Sequence, residues 1–182
     1  MNRYVYIRTV SKRALKKYLN SLPKSALEEQ VIDLYERFVP VKEYYDFVFN
    51  PKEEKLIQEA KTRISNEYFP VKRKRPKARR SVAQKYIKHF RTLGMAPYLI
   101  ADLMLYNLEI AQTFSREKRV PEAFHKSMLN SFTEASQYLS QESLLADYKE
   151  RILSIYKEVG VQDWPLKEGF NRAMDLLDLD LY

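Results

Sequence analysis

The chain has 182 residues, with 32 Lys and Arg against 24 Asp and Glu for a net charge of +8, and 45% of its residues are hydrophobic. It has three glycines where average usage of about 7% gives roughly thirteen, which excludes the glycine-rich phosphate loops of nucleotide-binding folds and argues against hairpin-rich β architecture. The absence of cysteine rules out disulfides, thiolate zinc sites and a thiol nucleophile, and one domain of this length buries about 70% of its unfolded surface without such staples.

Proline supplies most of the punctuation, because each proline removes a backbone donor and favours a helix boundary. Residues 1–10, beginning Met1-Asn2-Arg3-Tyr4, contain no apolar run long enough for a secretion signal and read as a flexible extension. Ser11 is placed to cap a helix through about Asn20, which Leu22-Pro23 ends. Ser25 and Glu28 have capping-box spacing and predict a second helix to about Phe38, broken by Pro40. Val41 to Phe49 reads as a short helix or a turn-rich aromatic segment, and Asn50-Pro51 opens a helix to about Glu67. After a linker at 71–80, Ser81 is the expected cap of a helix that stops before Gly94. Further helices are predicted from Pro97 to about Glu117, from Pro121 to about Leu139, from a Ser140 cap to Val159 with Gly160 as its stop, and from Pro165 to about Asp178.

The expected fold is therefore all-α, an irregular bundle of about eight helices forming a single domain over 11–182. No repeat of 30 to 45 residues supports the alternative of helical-repeat stacking. A membrane-spanning helix needs about 18 nearly continuous apolar residues, and the nearest approach, Tyr98 to Ala111, is interrupted by Asp102, Asn107 and Glu109. A soluble, cytoplasmic protein is the expectation.

The positive charge is local. Residues 71–80 hold Lys72, Arg73, Lys74, Arg75, Lys77, Arg79 and Arg80 and no acid, and without them the chain is nearly balanced. The following helix extends the run. Val82, Ala83, Tyr86, Ile87, Phe90 and Leu93 share one arc at helical spacing, and Arg80, Gln84, Lys85, Lys88 and Arg91 share the other. The first helix repeats the pattern with Lys12, Arg13, Lys16 and Lys17 opposite Ala14, Leu15, Tyr18, Leu19 and Leu22. Clustered cations of this kind suit the phosphates of a nucleic acid or another polyanion. They also suit plain solvation or internal ion pairing, and an anionic membrane surface. No aromatic lies within 71–80, which favours reading of a phosphate backbone over base stacking. Asp175, Asp178 and Asp180 are an acidic end that the basic arm could meet, within one chain or between copies, so a scaffold for protein or self-association is the alternative function.

Two polar residues fall on apolar arcs. Asn107 lies among Ile100, Leu103, Ala111 and Phe114, and His125 lies with Phe124, Met128, Leu129 and Phe132; a structural role is expected for both. Glu122 and His125 have the Glu-x-x-His spacing of di-iron bundles, and Asp102 and Glu109 are the carboxylates that could join them. A second such pair is missing, since Tyr86 stands three residues before His89, so no metal or other cofactor is expected. No serine lies in a nucleophile elbow, and a non-enzymatic binding protein is the reading.

Four segments carry a family resemblance: Ser11-Lys-Arg-Ala-Leu-Lys-Lys-Tyr-Leu19, Leu34-Tyr-Glu-Arg-Phe38 with Val41-Lys-Glu-Tyr-Tyr45, Lys74-Arg-Pro-Lys77, and Tyr106 to Phe114 ending Ala-Gln-Thr-Phe. Over residues 11–140 or so the chain resembles a small family of uncharacterised bacterial proteins, a domain of unknown function. That resemblance implies a bacterial cytoplasmic protein and assigns no catalytic residue.

Overall fold

A residue that cannot continue a helix, or that satisfies its first N–H groups, stands at most of the observed boundaries. In the computed structural model, which describes residues 10–72 and 75–177, the described residues form helices and no strand. They are α1 (Lys12–Asn20), α2 (Lys24–Arg37), α3 (Val39–Phe49), α4 (Glu53–Tyr68), α5 (Arg80–Leu93), α6 (Pro97–Glu117), α7 (Glu122–Gln141), α8 (Leu145–Val161) and α9 (Lys167–Asp175). The all-α expectation holds, with one more helix than the approximate eight. Residues 1–9, which include most of the expected N-terminal extension, lie outside the described residues.

Ser11 caps α1 as expected, its Oγ accepting the Ala14 N–H at 3.2 Å. Gly94 ends α5 in the left-handed conformation at φ 76°, where a side chain would be strained, and Met95 N–H returns to the Phe90 carbonyl at 3.1 Å. Other boundaries differ from expectation. α2 starts at Lys24 behind Pro23, so Ser25 lies inside the first turn and forms no side-chain cap. α3 is a regular helix, because Pro40 falls in its first turn, where a missing N–H costs nothing. Arg79 rather than Ser81 is the residue before α5, Ser140 lies within α7, and Gly160 lies within α8.

The chain divides into two compact units, residues 1–51 and 52–182, at the Asn50-Pro51 punctuation. In the first unit α2 and α3 form a hairpin joined at Phe38, whose extended backbone (φ −120°, ψ 108°) separates the helices. Tyr35 donates to Asp46 Oδ1 at 2.8 Å, and its ring meets Tyr45 edge-on with centroids 6.4 Å apart. No described residue of this unit is buried.

The second unit is organised around α6, which packs against α4, α5, α7 and α8 and contributes eleven buried residues. α9 closes the far side against α7 and α8. A chain of ring contacts runs through the interior, from Tyr68 through Phe114, Phe124 and Trp164 to Phe170 and Phe132. The start of α6 is held from α4, where Glu53 Oε1 accepts the Ala96 N–H at 2.8 Å. No helix among the described residues is long and apolar enough to cross a membrane.

Phe132 has no exposed surface and packs on Phe170 at 5.3 Å. Phe132→Ala is expected to lower the unfolding free energy by about 3–5 kcal/mol, read as a lower urea midpoint. An unchanged midpoint would mean that the α7–α9 contact is not part of the cooperative core.

Candidate functional site

The basic arm is not a free linker. Glu67, in the last turn of α4, is only 6% exposed, and a carboxylate so placed requires strong donors. Arg79 supplies two in fork geometry, Nε to Oε2 at 2.8 Å and Nη2 to Oε1 at 3.0 Å. The Glu67 backbone carbonyl accepts the N–H groups of Lys77 and Ala78 at 3.0 and 2.9 Å. Ala78 is held at φ 47°, in the left-handed region, to make that turn. The hydrogen bond and charge of Glu67 raise the Arg79 pKa, so this guanidinium is fixed in its charged form.

Arg80 is likewise engaged. It donates from Nε to Ser131 Oγ at 2.8 Å and from Nη2 to Glu134 Oε1 at 2.5 Å, tying the start of α5 to α7. Two of the seven expected phosphate-contacting cations are thus structural staples. Lys72, Arg75 and Lys77 are exposed, while Arg73 and Lys74 lie outside the described residues.

The basic arc of α5 splits between two grooves, because its span of about 140° is wider than one groove can face. Lys85 lines a groove of about 830 Å³ together with Arg63, Lys72, Arg79, Ser81 and Tyr86, with Pro70, Val71 and Val82 as apolar wall and Glu67 and Asn66 at the α4 side. Four cations therefore stand there against one carboxylate, and that carboxylate is committed to Arg79. Gln84, Lys88 and Arg91 instead line a second groove of about 490 Å³ with Glu134, Gln137 and Tyr138. Arg91 lies over the Tyr138 ring at 5.3 Å. Lys12, Arg13, Lys16 and Lys17 are exposed on α1, in the first unit.

Sequence reasoning missed Arg63 and Tyr86. Arg63 stands on a helix of net negative charge, one turn before Glu67. Tyr86 was counted with the apolar arc of α5, although it is only half-buried. The signal for both was proximity to the basic run across a turn, which spacing along one helix does not show.

Asn107 has the expected buried position, 1% exposed, and Tyr68 donates to its Oδ1 at 3.3 Å; its Nδ2 has no partner among the described residues. Burial, reinforced by the Glu67 charge, pushes the Tyr68 phenol well above its ordinary pKa and keeps it a donor. His125 is half-buried edge-on to Trp164 at 5.1 Å, with Nδ1 unpartnered among the described residues. Burial lowers its pKa, against the opposing charge of Glu122.

The carboxylates once available to a metal are otherwise engaged. Arg151 on α8 bonds Asp102 Oδ1 at 2.6 Å and both Glu109 oxygens, at 2.6 and 2.8 Å, and Lys61 on α4 bonds Asp102 Oδ2 at 2.5 Å. Asp102 and Glu109 are thus held by Arg151 and Lys61, and no cluster of three or more potential metal ligands occurs among the described residues. Asp175 closes α9, whereas Asp178 and Asp180 of the acidic end lie outside the described residues.

Residues 10–178 match the family of unknown function DUF6155. The chain belongs to that family. The match reaches well past residue 140 and takes in α8 and α9, so the DUF6155 unit includes the whole α4–α9 assembly as well as the α2–α3 hairpin. No curated protein and no solved structure matches the chain.

The Arg151 network generates two expectations. Arg151→Met should cost about 1–3 kcal/mol, less than the 3–5 typical of a fully buried pair because its side chains are partly exposed. Burial opposes ionisation of Asp102, but Lys61 and Arg151 outweigh it and hold its pKa below the ordinary value. The folded protein then binds fewer protons here than the unfolded chain, so this stability is complete above about pH 4 and is lost as pH falls through the lower folded value. Urea midpoints measured from about pH 6 down to pH 2.5 should fall more gently in Asp102→Asn; parallel curves would contradict the assignment.

Proposed function

We propose that this DUF6155 protein is a non-enzymatic binding protein that holds the phosphates of a nucleic acid in the groove between the end of α4, the basic arm and the start of α5. The supporting observation is the charge balance of that groove: Arg63, Lys72 and Lys85 face it without an ion pair among the described residues, beside an Arg79 whose own counter-charge is buried. Cations held around an open groove attract a polyanion by displacing its condensed counterions, with no need for base-specific contacts. Lys77 and Arg75 extend the positive surface along the arm. Tyr86 adds a single ring, enough for one stacking contact but no ladder of bases.

The test is fluorescence anisotropy of the full chain with a labelled oligonucleotide, titrated between about 50 and 200 mM salt. Binding should be tolerant of sequence and weaken steeply with salt. Arg63→Gln, Lys72→Gln and Lys85→Gln combined should flatten the log–log salt slope by about three, one for each phosphate contact removed. Arg79 and Arg80 are left intact because they hold the arm in place. An unchanged affinity and slope in the triple variant would overturn the reading.

A further inference from the structure

Building on the phosphate reading above, we infer that the nucleic acid in this groove is single-stranded, with one of its bases stacked on Tyr86. Cations alone suit any polyanion. They leave the apolar part of the lining, Pro70, Val71, Val82 and Tyr86, without a role. Val71 is 88% exposed, and the other three are half-buried. Covering such surface with apolar surface of the ligand is favourable, so this wall selects for more than charge.

The start of α5 sets the two chemistries side by side. Ser81 and Lys85 stand one turn apart, and so do Val82 and Tyr86, and all four line the groove. A polar row and an apolar row therefore run next to each other along the helix. The arm repeats the juxtaposition, with Pro70 and Val71 directly before Lys72. The Tyr86 ring packs on the buried ring of Phe90, with centroids 5.9 Å apart and planes tilted by 45°. A ring already ordered by such a contact loses little rotamer freedom when a base lands on it.

An unpaired strand is two-sided in the same way, with a ribbon of phosphates and a series of flat base faces. Arg63, Lys72 and Lys85 meet the first, and Tyr86 with its apolar neighbours meets the second. A duplex offers only half of that match. Its bases are stacked on one another inside, and its outer surface is phosphate and sugar, with base edges in the grooves. It would satisfy the cations and leave the apolar wall in water. An RNA duplex does no better, because its open minor groove presents hydroxyls and base edges rather than base faces.

The test compares three labelled probes on the full chain: a short single strand, its duplex, and an abasic strand of the same length. The native chain should hold the abasic strand at least about fivefold more weakly than the base-bearing one, the lower end for one base on an aromatic ring. Tyr86→Leu keeps bulk against Phe90 but removes the ring. It should weaken the base-bearing strand by a similar factor and leave the duplex and abasic strand unchanged, while Tyr86→Phe retains native affinity. If Tyr86→Leu loses helix content, the native comparison of base-bearing and abasic strands decides without a variant. Equal affinity for those two strands, or an equal loss on all three probes in a folded Tyr86→Leu chain, would overturn the inference. So would vesicles of an anionic phospholipid that displace the strand better than unlabelled strand at equal phosphate. The two levels fail separately. Salt-dependent binding of all three probes that needs Lys72 and Lys85 but ignores bases leaves the phosphate groove standing and removes only the single strand. Absence of salt-dependent binding to any probe removes both.

Discussion

Glu67 is the constraint on which the basic arm depends. A carboxylate almost wholly removed from water at the end of α4 is tolerable only if strong donors reach it, and the guanidinium of Arg79 provides a bidentate pair. The same residue's carbonyl takes the backbone N–H groups of Lys77 and Ala78, which holds that part of the arm against α4. Arg80 adds a second anchor on α7. The arm is thus positioned by its last two arginines, while Lys72, Arg75 and Lys77 are exposed. The Glu67 side chain and carbonyl together with Arg80 thus hold the arm where the groove forms.

The same economy governs the middle of the second unit. α6 is apolar enough to be covered on several sides, yet it carries Asp102 and Glu109 on one stripe and Asn107 on another. α8 answers the first with Arg151 and α4 with Lys61, and α4 answers the second with Tyr68. Asp102, Glu109 and Asn107 Oδ1 are each met by a neighbouring helix, so these polar pairs fix which helices sit beside α6 and in what register. Gln112 follows the same rule, donating to the Ile155 carbonyl of α8 at 2.7 Å. Asn107 Nδ2, His125 Nδ1 and Ser136 Oγ, unmatched among the described residues, are exceptions within this interior.

Much of the fold was legible in the sequence because proline and glycine act locally. Pro97, Pro121 and Gly94 mark boundaries through their own backbone chemistry, and Ser11 marks one through its side chain. Ser25 and Ser140 misled because a serine near a boundary caps only if the chain turns there, and Pro23 and the Glu142–Leu144 turn set the boundaries instead. The candidate site was legible in part. The run at 71–80 is plain in the sequence, whereas the loss of Arg79 to Glu67 and of Arg80 to Ser131 and Glu134 depends on partners 12, 51 and 54 residues away. Arg63 and Tyr86 enter the groove only through the packing of α4 against α5.

The central claim is that phosphates sit in the groove made by α4, the arm and α5, and lysine acetylation footprinting reads it directly. The full chain is modified with and without saturating oligonucleotide, and each lysine is followed by mass spectrometry. The account predicts protection of Lys72, Lys77 and Lys85 with unchanged modification of Lys126 and Lys157, which are exposed but lie outside the groove. Uniform modification with and without the oligonucleotide, or protection confined to lysines outside the groove, would contradict it.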